Sequence, residues 1–117
     1  MAYALVILEP PGQRQTRTEE QGRAAYQRMV RFSDELRSRG QLTLAQSLAS
    51  ERSGARVRVQ DRQVTIVDGP FAEAREIVGG FFLLTCETRP EAMAIASQCP
   101  AAEWATVEVR ELGPCFT

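Results

Sequence analysis

The sequence predicts a single two-layer α+β domain, and three features of its 117 residues carry that expectation. Short apolar runs rich in strand formers are separated by one long and one shorter amphipathic segment. An alternating hairpin pattern sits between the two halves of the chain. The length suits one domain with one core, spanning 1–117.

Tyr3-Ala4-Leu5-Val6-Ile7-Leu8 is a short apolar run bounded by Glu9-Pro10-Pro11-Gly12, which predicts a largely buried strand. Gln13 to Arg17 is polar and reads as loop. Thr18 followed three residues later by Gln21 matches a capping box, with Glu19 and Glu20 in the first turn where they complement the helix dipole. Ala25, Met29, Phe32 and Leu36 then recur in steps of four, three and four, placing them on one helical stripe. Arg23, Arg28, Arg31, Glu35 and Arg37 fall on the wetter side, and Gly40 supplies the stop.

Gln41 to Leu48 predicts a second strand, followed by a loop from Ala49 to Gly54. Arg56 to Gln60 and Gln63 to Val67 both alternate around Asp61-Arg62, a hairpin with Val57, Val59, Val64 and Ile66 on one side. Asp-Arg suits a tight turn less well than Asp-Gly, which leaves a longer loop or a bulge open as the alternative. Phe81 to Cys86 predicts a buried strand introduced by Gly79-Gly80. Pro90 opens a second helix with inner residues Ala92, Met93, Ile95, Ala96 and Cys99, and Pro100 ends it. Thr106 to Arg110 alternates and forms the last strand. The order β-α-β, hairpin, β-α-β predicts a ferredoxin-like domain, a mostly antiparallel sheet with two helices on one face. Its other face is open, and a second copy of the chain is the simplest cover, so a homodimer is expected.

Composition narrows the functions. Hydrophobic residues make up 44% and charged residues 25%, as in soluble globular proteins. A net charge of -1 argues against direct nucleic-acid binding. No apolar run reaches the ~20 residues that span a bilayer, and Ala2 to Leu8 lacks the leader and cleavage site of a signal peptide. A cytoplasmic protein without membrane partners is expected. The chain has three cysteines and no histidine, which excludes a His-based zinc site. Cys86, Cys99 and Cys115 are expected as free thiols, two of them in the core. No phosphate-binding glycine loop, EF-hand or zinc spacing occurs, so no metal or cofactor is expected.

The segment Asp68-Gly69-Pro70-Phe71-Ala72-Glu73, continuing to Gly79-Gly80-Phe81, is the most distinctive in the chain. Two readings stand. In one, Asp68 caps backbone amides, Phe71 plugs the core and the segment is a rigid crossover. In the other, Asp68 is a strand-end carboxylate near Glu73 and Arg75 that lines a pocket and acts as general acid or base, with Gly79-Gly80 admitting a ligand. Tyr26 and Trp104 are further candidates for a pocket wall or an interface. Arg56 and Arg58 form a small basic patch. Cys115 has no neighbouring cation in sequence to activate it.

The string DGPFAEAREIVGGFFLL resembles the signature of the DGPF domain, within the wider YCII-related group, and the flanking VRVQDRQVTIV, CPAA and VEVREL agree with it. The resemblance spans Tyr3 to Leu112. It implies a dimeric α+β barrel with a pocket between subunits, and Asp68, Gly69, Pro70, Phe71, Glu73 and Gly80 match the family motif. Relatives beside alternative sigma factors imply a regulatory link. The YCII branch proper is proposed to use a histidine–aspartate dyad. This chain has Met29 in the helical region of that histidine and Gln98-Cys99-Pro100 in place of that aspartate, so dyad chemistry does not carry over. Three functions follow as expectations. The first is a small-molecule-binding or regulatory protein with a pocket near Asp68, close to the dimer interface. The second is an isomerase, lyase or hydrolase using Asp68 as general acid or base. The third is a protein-interaction partner of a transcription factor.

Overall fold

In the computed structural model, which describes residues 2–116, six strands and two helices are arranged as the sequence order predicts. Strands β1 (Tyr3–Glu9), β2 (Leu42–Ser47), β5 (Ile77–Leu84) and β6 (Thr106–Glu111) form one antiparallel sheet in the order β2-β5-β1-β6. Helices α1 (Glu19–Ser38) and α2 (Arg89–Gln98) cover one face of it. Strands β3 (Ala55–Gln60) and β4 (Gln63–Asp68) pair only with each other, as a separate two-stranded arm inserted between β2 and β5. The architecture is a ferredoxin-like α+β domain.

Side-chain parity along β1 explains how the sheet faces the core. Tyr3, Leu5 and Ile7 point to the helices and pair across the sheet with Leu84, Phe82 and Gly80. Phe32 and Leu36 of α1 and Ala92, Ile95 and Ala96 of α2 close over them. Leu5, Leu36 and Leu84 are each below 2% exposed, so truncating any one to alanine costs about 2–5 kcal/mol. The rings of Phe32 and Phe82 meet edge to face at 5.6 Å. The capping box at Thr18 forms in both directions, and Gly40 takes the left-handed backbone (φ 70) that ends α1.

Four local expectations need correcting. β5 begins at Ile77, so Gly79 and Gly80 lie inside the strand and do not introduce it. The hairpin turn is a tight one: Asp61 (φ 50) and Arg62 (φ 66) are both left-handed, the mirror-image turn that matches strand twist even without glycine. Met93 is 43% exposed, because the shorter helix turns only Ala92, Ile95 and Ala96 inward. Phe71 does not plug the core. It stays half-buried under Arg56, whose guanidinium carbon lies 4.2 Å from the ring centre. Ala25 and Met29, the N-terminal half of the predicted α1 stripe, are only partly buried, for the reason given next.

Candidate functional site

Between α1 and the sheet surface near β2 runs a cleft of about 570 Å³. Ala25, Tyr26, Met29 and Val30 of α1 form one wall, and Gly79, Gly80 and Phe82 of β5 form part of the floor. The predicted helical stripe therefore serves two purposes: Phe32 and Leu36 build the core, while Ala25 and Met29 line the cleft. The volume falls within the range of small-molecule sites.

The charged centre of the cleft is an ion pair. Glu9 ends β1 in the same parity as Tyr3, Leu5 and Ile7, and is 9% exposed. The chain turns back through Gly12 (φ 78), and a 3-10 turn over Gln13–Thr16 brings Arg14 onto it. Arg14 Nε meets Glu9 Oε1 at 2.7 Å. Its Nη1 donates to the Leu48 carbonyl at 2.6 Å and its Nη2 to the Gly79 carbonyl at 3.2 Å. Leu48 N also donates to the Gly79 carbonyl, at 2.9 Å, so Arg14 staples the ends of β2 and β5 to β1. Glu9 Oε2 has no hydrogen-bond donor among the described residues. Each Nη of Arg14 carries two N–H groups and uses one, leaving donors beside that acceptor.

Gly79 permits this arrangement. A Cβ on it would stand 2.4 Å from Glu9 Oε2 and 3.1 Å from Arg14 Nη2. Gly80 lies against β2, where a Cβ would meet the Gln46 carbonyl oxygen at 2.8 Å.

Trp104 also lines the cleft. The guanidinium carbons of Arg17 and Arg28 both lie 5.5 Å from its ring centre, and Gln13 Nε2 donates to its carbonyl at 2.6 Å. Arg28 reaches Glu103 with two prongs, Nη1–Oε1 at 3.1 Å and Nη2–Oε2 at 2.5 Å. Hydrogen bonding from Arg28 holds the Glu103 carboxyl below the usual carboxylate range and raises the Arg28 guanidinium in turn.

Of the residues singled out in the sequence, Gly80, Tyr26 and Trp104 line the cleft, and Asp68, Gly69, Pro70, Phe71 and Glu73 do not. Asp68 ends β4, exposed, opposite Ala55. Gly69 donates its N–H to the Gly54 carbonyl at 2.9 Å, and a Cβ there would stand 1.9 Å from the Glu51 carbonyl oxygen. Phe71 N donates to Glu51 Oε2 at 2.7 Å. Glu73 is exposed. This part of the motif fixes the base of the arm. Glu9 and Arg14 escaped the sequence reading, although parity held a clue: a carboxylate at the inward position of an apolar strand needs a partner.

Cys86 and Cys99 are buried, and burial pushes both thiols up, while Cys115 is exposed. Among the described residues no group of three or more Cys, Asp or Glu is placed to hold a metal ion. No helix among them is long and apolar enough to cross a membrane.

A ferredoxin-like sheet with a cleft under its first helix and an arm inserted between β2 and β5 defines a small α+β domain with a built pocket. The model of the YCII-related domain matches residues 1–115, and the chain belongs to that family. Comparison with curated proteins gives no match.

Proposed function

We propose that the chain binds a small molecule in the cleft between α1 and the sheet, with the Glu9–Arg14 pair as its polar anchor. The supporting observation is the pair itself: a nearly buried carboxylate with a vacant acceptor, next to an arginine with spare donors. The two charges cancel, so the anchor suits a neutral group that offers a donor and an acceptor side by side, as an amide or lactam does. The apolar walls at Met29, Val30 and Phe82 suit a hydrocarbon or aromatic body.

The test is a thermal-shift screen of wild type, Glu9→Gln and Asp68→Asn against a panel of small amides, lactams and related metabolites. A ligand held at a hundred times its Kd adds about 2.7 kcal/mol to the folded state. A shift in wild type and Asp68→Asn that disappears in Glu9→Gln is the expected result. A shift that survives Glu9→Gln and disappears in Asp68→Asn would move the site to the arm.

A further inference from the structure

We propose that Arg17 forms an anion-binding subsite in the same cleft, so that the ligand is an amide or lactam that also carries a carboxylate. The inference rests on the small-molecule reading of the cleft and extends it to the charge of the ligand. The charged side chains that line the cleft are Glu9, Arg14, Arg17, Glu19, Asp34 and Arg37. Glu9 is paired with Arg14 at 2.7 Å, Glu19 with Arg23 at 2.7 Å and Asp34 with Arg37 at 3.5 Å. Among the described residues Arg17 has no carboxylate at salt-bridge distance. The wall of the cleft therefore carries one positive charge in excess, and that charge is Arg17.

Arg17 is held in place without being neutralised. It is half-buried, and its guanidinium carbon lies 5.5 Å from the Trp104 ring centre. Its Nη2 donates to Gln13 Oε1 at 3.4 Å, and Gln13 Nε2 in turn donates to the Trp104 carbonyl at 2.6 Å. The aromatic ring alone does not balance it. Arg28 lies over the same ring at 5.5 Å, and it occupies both oxygens of Glu103. Two cations thus share one ring and one carboxylate, an arrangement that a second carboxylate would relieve.

The position of Arg17 also says which part of the ligand it meets. Arg14 and Arg17 are one 3-10 turn apart, with Arg17 N donating to the Arg14 carbonyl at 3.3 Å. Such a turn rises about 6 Å over three residues and places side chains three apart on the same side. The neutral Glu9–Arg14 anchor and the cation at Arg17 therefore address neighbouring groups of one small molecule. A guanidinium takes a carboxylate through two parallel hydrogen bonds. One excess charge matches a carboxylate better than a phosphate monoester, which carries about −1.5 to −2 at neutral pH. An N-acyl amino acid joins the three parts required: an apolar acyl body, an amide and a nearby carboxylate.

The test uses N-acylglycines with acyl groups from acetyl to benzoyl, each matched with its uncharged glycinamide, and isothermal titration calorimetry on the full chain. The expected result for wild type is an acid that binds about 10-fold tighter than its glycinamide. That preference weakens as salt is raised and disappears in Arg17→Gln. Arg58→Gln, which removes a charge from the exposed strand β3, keeps it. Thermal unfolding confirms that each variant is folded. If Arg17→Gln unfolds, Arg17→Met decides, since it keeps an apolar stem against Trp104 and removes only the charge. Equal binding of acid and glycinamide by wild type overturns the proposal, and so does an acid preference that survives loss of the Arg17 charge. Glu9→Gln separates this result from the reading beneath it. If glycinamides bind through Glu9 and acids gain nothing, the Arg17 subsite falls alone. If acids bind through Arg17 and Glu9→Gln changes nothing, the amide anchor falls and the anion subsite stands. Binding of neither series overturns both.

Discussion

Gly79 and Glu9 are in direct contact: the Gly79 α-carbon lies so near the Glu9 carboxylate that a methyl group on it would stand 2.4 Å from Oε2. Glu9 cannot swing away cheaply, because Arg14 clamps Oε1 and the residue is nearly buried. Gly79→Ala is therefore expected to destabilise the fold by about 1–3 kcal/mol through overpacking. It also displaces the anchor of the cleft. Urea unfolding measures the first effect and ligand-induced thermal shift the second.

Removing Arg14 has a different signature. Arg14→Ala leaves the Leu48 carbonyl without this donor and leaves Glu9 nearly buried without its cation. Half-burial of the arginine side chain moderates the loss, so about 2 kcal/mol is expected, short of a fully buried pair. The double variant Glu9→Gln/Arg14→Ala should recover part of that loss, since no charge then stays without a partner. A double-mutant cycle by chemical denaturation reads the difference.

At Gly69 a Cβ would stand 1.9 Å from the Glu51 backbone oxygen, closer than at Gly54, Gly79 or Gly80, so Gly69→Ala is expected to be severe. Backbone must move, and the Gly69–Gly54 and Phe71–Glu51 hydrogen bonds at the base of the arm are strained together. Hydrogen exchange should show β3 and β4 losing protection while β1 and β5 keep theirs.

Thiol chemistry separates the cysteines. In the folded protein only Cys115 is expected to react promptly with a disulfide reagent at mildly alkaline pH, because Cys86 and Cys99 are buried and their thiols are pushed up. All three react after denaturation. Fast reaction of a second thiol in the native protein would contradict the burial.

The Arg28–Glu103 pair predicts a pH dependence. The folded-state value of Glu103 lies below the ordinary carboxylate range. Its contribution to stability is thus complete above the unfolded-state value and is lost as pH falls through the folded one. Wild type and Glu103→Gln should differ near neutral pH and converge in acid. Both groups are exposed, so salt should narrow the gap. Trp104 fluorescence follows the clasp, since Arg28 lies over its ring.

Local signals made most of the fold legible in the sequence. The Thr18–Gln21 capping box, the apolar runs at Tyr3 and Phe81 and the alternation around Asp61-Arg62 each depend on neighbours within a few residues. The start of β5 was less visible, because Ile77-Val78 is separated from Phe81 by two glycines that resemble a break. The cleft was hardly legible. Arg14 joins a carboxylate before it in the chain to carbonyls of Leu48 and Gly79 far beyond it, and no spacing rule links those positions. Alternation gave the apolar face of Val57 and Val59 but carried no information about whether their own body would cover it.

The central place of β1 in the sheet also bears on how the chain folds as it is made. Its neighbours are β5 (Ile77–Leu84) and β6 (Thr106–Glu111), and Tyr3 pairs with Glu111. At about 5–20 residues per second, synthesis leaves this first strand without either partner for several seconds. During that interval Leu5 and Ile7 have nowhere to be buried, and the apolar amino-terminal segment is open to chaperones or to other nascent chains. Pairings so distant in sequence close slowly even in the complete chain. A circular permutant that begins at β2 and places β1 beside its partners should refold faster and aggregate less than the natural order.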